Sequence, residues 1–118
     1  MMVKQGEIYW VDLGELRGSE PGYRHPHIVV QNNLFNASRI KTVVVCTLTT
    51  NLKRAAAPGN VTLPEGEANL AKQSVVNVSQ LYTVDEDDLV ERIGQVSREK
   101  LKEVLLGIEL LLKPRDLM

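Results

Sequence analysis

The sequence predicts an α+β protein in which a small, strongly bent antiparallel sheet or barrel precedes one C-terminal amphipathic helix. The first observation is a series of short segments rich in β-branched residues, which alternate with irregular loops up to about residue 96. The second is a helical repeat of apolar residues after residue 97, with charged residues on the opposite face. Strands that come first and a helix that comes last favour α+β over an alternating α/β fold.

The strand predictions rest on residue type and on alternation. The strongest segment is Thr42–Thr49, in which nearly every residue is β-branched. Further strands are predicted at residues 7–13, 28–31, 61–63, 74–83 and 92–96. The connecting segments 14–25, 51–60 and 65–72 show no apolar periodicity, and long irregular loops of this kind are often functional.

The C-terminal helix is predicted to begin after Ser97, a good N-cap residue, and to end before Pro114. Its apolar face is predicted to contain Leu101, Val104, Leu105, Ile108, Leu111 and Leu112. The acidic run at residues 85–88 is interpreted as the first turn of a short helix, where carboxylates suit the helix dipole, and not as a metal site.

Length and composition bound the class of protein. The 118 residues suit one domain spanning 1–118, with a hydrophobic core large enough to be stable without disulfides or a structural metal ion. Cys46 is the only cysteine, so no intrachain disulfide can form, which suits a reducing compartment. The apolar runs are too short to span a bilayer, and residues 1–6 lack the pattern of a signal peptide, so we expect a cytoplasmic protein with no membrane partner.

The net charge of −1 limits how the chain could bind a nucleic acid. Proteins that bind nucleic acids regardless of sequence usually carry a strong positive excess, because phosphate neutralisation supplies most of their affinity. Any such contact here must therefore use a local basic site, a short single strand, or both.

Residues 18–26, with the sequence GSEPGYRHP, are the main candidate for an active-site loop. Arg24 can hold a phosphate through several hydrogen bonds, and His25 can exchange a proton near neutral pH. These are the requirements of RNA cleavage by the neighbouring 2′-hydroxyl. Composition alone favours the simpler interpretation, a packed surface loop with an incidental arginine and histidine. Tyr23 is the best candidate to stack on a base.

Other polar residues are weaker candidates for a functional site. His25 and His27 could reach one metal ion from one face of a strand, but Pro26 restricts the backbone between them and no third ligand has suitable spacing. Thr47 and Thr49 share one side of the strongest strand, which is also ordinary strand composition.

Two remaining features have simple structural explanations. Lys53 and Arg54 put positive charge into a loop, where it could attract a phosphate backbone or only face solvent. Cys46 lies inside an apolar strand and is interpreted as a core residue.

The chain resembles the MazF/PemK-type toxins over nearly its whole length and in order. The segments that carry the resemblance are 6–13 (GEIYWVDL), 18–22 (GSEPG), 26–33 (PHIVVQNN), 42–49 (TVVVCTLT), 74–80 (SVVNVSQ) and 93–94 (IG). The resemblance implies a small SH3-like antiparallel β-barrel of the CcdB/Kid/MazF kind with a C-terminal helix, and a homodimer. It also implies a toxin that is inhibited by a cognate, MazE-like antitoxin whose tail covers the RNA site.

The activity that the resemblance implies is cleavage of single-stranded RNA, usually messenger RNA, at short sequences. The expected products are a 2′,3′-cyclic phosphate and a 5′-hydroxyl, and no metal or other cofactor is expected.

The resemblance carries over to particular residues. The family's threonine matches Thr49. The family's arginine stands directly before the proline, where this chain has His25, with Arg24 one place earlier. Either His25 is the general acid or base and Arg24 holds the phosphate, or a shifted loop brings Arg24 to the family position; we favour the first, because arginine is effectively never deprotonated. The expected RNA contacts are Ser19, Glu20, Tyr23, Thr50, Lys53 and Gln80.

Two other functions remain open at this point. The CcdB toxins resemble this fold but poison DNA gyrase without catalysis, through the end of the C-terminal helix. An SH3-like binding module without toxicity is the second alternative.

Overall fold

The computed structural model describes residues 2–14 and 24–115. In these ranges the chain forms one six-stranded antiparallel sheet and a long C-terminal helix, which confirms the predicted α+β class. The elements are β1 (Glu7–Asp12), β2 (Arg24–Val29), α1 (Asn33–Asn36), β3 (Thr42–Thr49), β4 (Val61–Leu63), β5 (Ser74–Asp85), β6 (Leu89–Gln95) and α2 (Arg98–Leu112).

The strand order across the sheet is β4-β5-β3-β2-β1-β6, so β3 and β2 lie at its centre. Between these two strands His27 pairs with Thr47, Ile28 with Cys46 and Val29 with Val45. Because side chains alternate along a strand, the pairs at positions 27 and 29 face one side of the sheet and Ile28 faces the other.

Each face of the sheet has its own apolar cluster. Ile28, Cys46 and Leu48 belong to the cluster on which α2 packs through the fully buried Val104. Val29 and Val45 belong to a second cluster on the opposite face, together with Tyr9 and Val11. Both sides of the central strands are therefore covered by apolar side chains.

Strand β5 contains an irregularity that matters for the candidate site. Cys46 on β3 pairs with Leu81, but the next residue, Thr47, pairs with Asn77. One step along β3 thus corresponds to four steps along β5, and residues 78–80 have no partner on β3. The side chains of Ser79 and Gln80 are exposed there.

Helix α2 begins as predicted, with the Ser97 side chain accepting a hydrogen bond from the Lys100 amide at 3.2 Å. Gly107 faces the loop at Gly59, and a Cβ at position 107 would collide with the Gly59 carbonyl oxygen. Glycine at 107 therefore allows the helix to approach the loop that carries Lys53.

Three sequence-based boundaries differ from the structure. Strand β2 begins at Arg24 and not at residue 28, because it pairs with β1 from Asp12 opposite Arg24 onward. Pro26 is tolerated because pairing with β3 starts only at His27, so the missing N–H removes no bond from that ladder. Strand β6 begins at Leu89 instead of residue 92, and the acidic run forms only a single 3₁₀ turn at Glu86–Asp88.

The predicted apolar face of α2 is also too long. Leu101, Leu105 and Ile108 pack against the core, but Leu111 and Leu112 are 44% and 65% exposed. Helical spacing places all of these residues on one face of the helix. How far along the helix that face is buried depends on where the neighbouring strands end, which the spacing does not reveal.

Candidate active site

His25 lies on strand β2, not in a loop, and its half-buried imidazole reaches across to the neighbouring strand β3. The Nε2 atom lies 2.6 Å from the carbonyl oxygen of Leu48. Because a carbonyl can only accept, Nε2 must carry a proton, and in the neutral ring the lone pair is then on Nδ1. This contact fixes both the orientation of the ring and its tautomer.

The Leu48 carbonyl and the Thr49 nitrogen belong to the same peptide group, so the His25 ring lies against the Leu48–Thr49 peptide. Thr49 ends β3 and is half-buried, on the same side of the strand as Thr47 and Val45. Its Oγ1 accepts a hydrogen bond from the Asn51 amide at 3.1 Å. Since that bond uses an oxygen lone pair, the hydroxyl proton can be donated in another direction.

His27 lies two residues further along β2 and is completely buried. Its Nδ1–H donates to the His25 carbonyl oxygen at 2.8 Å, and its Nε2 accepts from the Tyr82 hydroxyl. Burial lowers the pKa of His27 to about 4, so the ring is neutral at pH 7.

The arrangement of the two histidines does not favour the metal pair that the sequence left open. Both ring nitrogens of His27 already have hydrogen-bond partners, and the two rings meet edge to face with centroids 5.7 Å apart. Within residues 2–14 and 24–115, no group of three or more histidine, cysteine or acidic side chains has the arrangement of a metal site.

Arg24 is exposed at the first position of β2. Strand alternation places it on the face of Ile28, opposite to the face of His25. The two residues that sequence analysis treated as a pair are thus adjacent along the chain but project to different sides of the strand. The guanidinium can contribute positive charge at the end of the strand, next to the imidazole but not on the same side.

The remaining predicted RNA contacts fall into two groups. Thr50 follows β3 and is exposed, Lys53 is exposed in a 3₁₀ turn at Leu52–Ala56, and Gln80 is exposed in the irregular part of β5. Asn51 holds the turn that carries Lys53, because its side chain accepts from the Lys53 amide at 3.2 Å. Ser19, Glu20 and Tyr23 lie outside the described residues.

Polar residues that the sequence analysis did not select lie close to Thr47. The side chain of Asn77, the partner of Thr47, accepts hydrogen bonds at Oδ1 from the side-chain Nδ2 of Asn60 at 3.3 Å and from the Ser79 hydroxyl at 3.1 Å. Asn60 also accepts from the Val78 amide at 3.0 Å. These bonds connect the loop before β4 to the irregular part of β5. The only signal in the sequence was the group of asparagines and serines itself.

Cys46 is completely buried on the central strand β3, and burial raises the pKa of its thiol to about 12. A thiolate is therefore strongly disfavoured, and the prediction that Cys46 is a core residue is confirmed.

A family model described as "PemK-like, MazF-like toxin of type II toxin-antitoxin system" matches residues 4–112. A protein of Mycobacterium bovis named endoribonuclease MazF2 is 43% identical over 108 residues, which are 92% of this chain and 95% of that protein. The endoribonuclease MazF of Staphylococcus saprophyticus is 32% identical over 109 residues, covering 92% of this chain and 90% of the relative.

Solved structures show the same fold. A mycobacterial endoribonuclease in complex with its cognate antitoxin has a TM-score of 0.76 at 23% identity, covering 97% of this chain and 99% of that one. A MazE-MazF structure from Deinococcus radiodurans has a TM-score of 0.79 at 22% identity, covering 98% of this chain and 99% of that one.

Within the described part of the chain, no helix is long and apolar enough to cross a membrane. The match over residues 4–112 and the 43% identity over 95% of a relative's length show that this chain belongs to the PemK-like, MazF-like toxins of type II toxin–antitoxin systems.

Proposed function

We propose that the chain is a toxin that cuts single-stranded messenger RNA at short sequences, by attack of a 2′-hydroxyl on the adjacent phosphorus and without a metal ion or other cofactor. The 2′-oxygen forms a bond to phosphorus, and the bond from phosphorus to the 5′-oxygen breaks. The products are a 2′,3′-cyclic phosphate and a 5′-hydroxyl. The observation that carries the proposal is the His25 ring held against the Leu48–Thr49 peptide, in a chain whose relatives are named endoribonucleases.

In this proposal His25 is the proton-transfer group, acting through Nδ1 because Nε2 is bonded to the Leu48 carbonyl. The Thr49 hydroxyl, turned by the Asn51 amide, donates to a phosphoryl oxygen where negative charge develops. Arg24 projects from the other side of the strand, so its role is to hold a phosphate of the RNA backbone and not to exchange a proton.

Substrate recognition in this proposal belongs to Thr50, Lys53 and Gln80, together with Ser19, Glu20 and Tyr23. The first three are exposed: Thr50 and Lys53 lie in the segment after β3, and Gln80 lies in the irregular part of β5. Since the chain carries a net charge of −1, contacts to a few nucleotides must supply affinity that a basic surface would otherwise give.

The proposed partners are single-stranded RNA, a cognate MazE-like antitoxin and a second copy of this chain. The antitoxin is supported by the family and by related structures that contain one. The proposed location is the cytoplasm, where messenger RNA is found. The family match also favours a ribonuclease over the two alternatives, a CcdB-like gyrase poison and a binding module without catalysis.

The activity is tested by incubating purified protein with a long RNA and mapping the new ends, with and without EDTA. Polynucleotide kinase should label the 5′ ends directly, because they carry a hydroxyl, and EDTA should not change the rate. Ends that require phosphatase treatment, or loss of cleavage in EDTA, would overturn the proposed chemistry. Gyrase inhibition without any RNA cleavage would favour the alternative.

The site is tested with His25→Ala, Thr49→Val and Arg24→Gln. Loss of a general acid or base should slow cleavage by about 10²-fold or more in His25→Ala. Thr49→Val keeps the shape of the side chain and should reduce the rate through the lost hydrogen bond, while Arg24→Gln should weaken binding and its dependence on salt. Full activity in both His25→Ala and Arg24→Gln would refute this site.

Two matched variants control for charge and for hydroxyl loss. Arg39→Gln removes an exposed arginine from the segment before β3, and Thr62→Val removes a half-buried threonine from the edge strand β4. Both should cleave RNA at the rate of the unchanged protein.

A further inference from the structure

We propose that His27 and Tyr82 are positioning residues that hold His25 in the orientation needed for proton transfer; this inference rests on the proposed role of His25. His27 touches both the backbone and the ring of His25, through a hydrogen bond to the carbonyl oxygen and an edge-to-face ring contact.

The contacts form a continuous series from β5 to β2. The Tyr82 hydroxyl donates to Nε2 of His27, and the Nδ1–H of His27 donates to the His25 carbonyl at 2.8 Å. The rings of His27 and Tyr82 meet edge to face with centroids 5.4 Å apart, and those of His27 and His25 do so at 5.7 Å. Within the described part of the chain, the His25 ring is held by its own bond to the Leu48 carbonyl and by the contact with His27.

The surroundings of His27 keep this arrangement in a single protonation state. Tyr9 on β1 and Thr47 on β3 occupy the register positions opposite His27, and neither carries a charge at pH 7. The Tyr9 hydroxyl bonds to Glu7 at 3.1 Å and not to His27. His25 is the titratable group that acts on His27 electrostatically, and burial favours the neutral ring. A neutral His27 has one donor and one acceptor, which matches the His25 carbonyl and the Tyr82 hydroxyl.

The bonds imply a division of roles. His27 does not reach the substrate side through its nitrogens, because both are used internally. Removing it would leave the His25 carbonyl without this donor and the His25 ring without its edge contact. Since catalysis by proton transfer depends closely on geometry, such a loss should lower the rate of the chemical step more than substrate binding.

The kinetic test uses His27→Val, Tyr82→Phe and the double variant with a cleavable RNA oligonucleotide. Each single variant should lower kcat by about tenfold, a typical effect of one lost hydrogen bond, with KM nearly unchanged. The double variant should lose little more than either single one, because the two residues act as one unit. Rates equal to the unchanged protein, or losses that multiply in the double variant, would overturn the proposal.

Two further variants separate positioning from general damage. His27→Asn retains an N–H near the position of Nδ1 and should recover part of the activity lost in His27→Val. Tyr9→Phe removes a buried hydroxyl from the same face of the sheet, but one that bonds to Glu7, and should leave kcat unchanged. If His27→Val does not fold, Tyr82→Phe still decides, because it removes only one oxygen atom.

A spectroscopic readout keeps the inference separate from the proposed catalytic role. The chain has only two histidines, so the imidazole region of its NMR spectrum contains two ring systems, and His27→Val leaves His25 alone. In Tyr82→Phe the chemical shifts of the His25 ring should change in the free protein. An unchanged His25 signal would refute positioning whatever the RNA assay shows. A changed signal with full cleavage by His25→Ala would instead refute the catalytic role and leave the positioning contact intact.

Discussion

Lowering the pH from 7 to 5 is expected to destabilise the folded chain through His27. The pKa of this buried ring is about 4 in the folded protein, against an ordinary value of 6.5. Because folding lowers this pKa, the unfolded chain binds the proton at a higher pH than the folded chain does. The unfolding free energy is therefore unaffected by His27 above pH 6.5, and it decreases as the pH falls from 6.5 toward 4.

The size of the effect follows from the two pKa values. At pH 5 the ring is protonated in most unfolded molecules and neutral in most folded ones. The cost is about 2 kcal/mol, since each unit between pH 6.5 and pH 5 contributes about 1.4 kcal/mol. That is a large share of the stability of a small domain, which is typically about 5–15 kcal/mol.

The measurement is urea denaturation of the unchanged protein and of His27→Val at pH 7 and pH 5, at one protein concentration and ionic strength. The loss of unfolding free energy between the two pH values should be about 2 kcal/mol smaller in His27→Val, because this variant removes the ring whose pKa is lowered by folding. Equal losses in the two proteins would refute the assignment of a neutral, buried His27.

Two further predictions concern packing. Gly107→Ala should lower the unfolding free energy by about 1–3 kcal/mol, because the added methyl group would collide with the Gly59 carbonyl. Leu106→Ala, on the exposed side of the same helix, should change the unfolding free energy by about 0.5 kcal/mol or less. Thermal denaturation of both variants measures the difference. Cys46 should not react with a thiol reagent at pH 8 until the protein is unfolded in urea, and rapid labelling of the native protein would contradict its buried, protonated state.

The parts of the fold that could be predicted from sequence are those with a strong local pattern. Strand β3 was recognised with its observed bounds from its β-branched residues, and α2 from its apolar repeat and the cap at Ser97. Strand β2 was predicted to begin too late, because Arg24, His25 and Pro26 have the composition of a loop. Pairing with β1 outweighs that local preference, since it supplies backbone partners that no sequence pattern reveals.

The candidate site was harder to predict for the same reason. The sequence identified His25 and Thr49, but not that the His25 ring contacts the peptide just before Thr49. The bond between His27 and Tyr82 joins residues that are 55 positions apart, so it depends on the sheet order and on the irregular pairing of β5. Alternation along a strand also separates Arg24 from His25, although adjacent letters suggested a pair.

The order of the strands has a consequence for how such a sequence can diversify during evolution. The side chains proposed to do chemistry, His25 and Thr49, are on the two innermost strands, and each is paired with a buried valine of a neighbouring strand, Val11 or Val75. Lys53 and Gln80, proposed to recognise RNA, lie in a turn and in a stretch of β5 without a partner on β3. Mutations at Lys53 and Gln80 do not disturb pairing with β3. Related chains can therefore change the RNA sequence that they recognise while His25 and Thr49 stay the same.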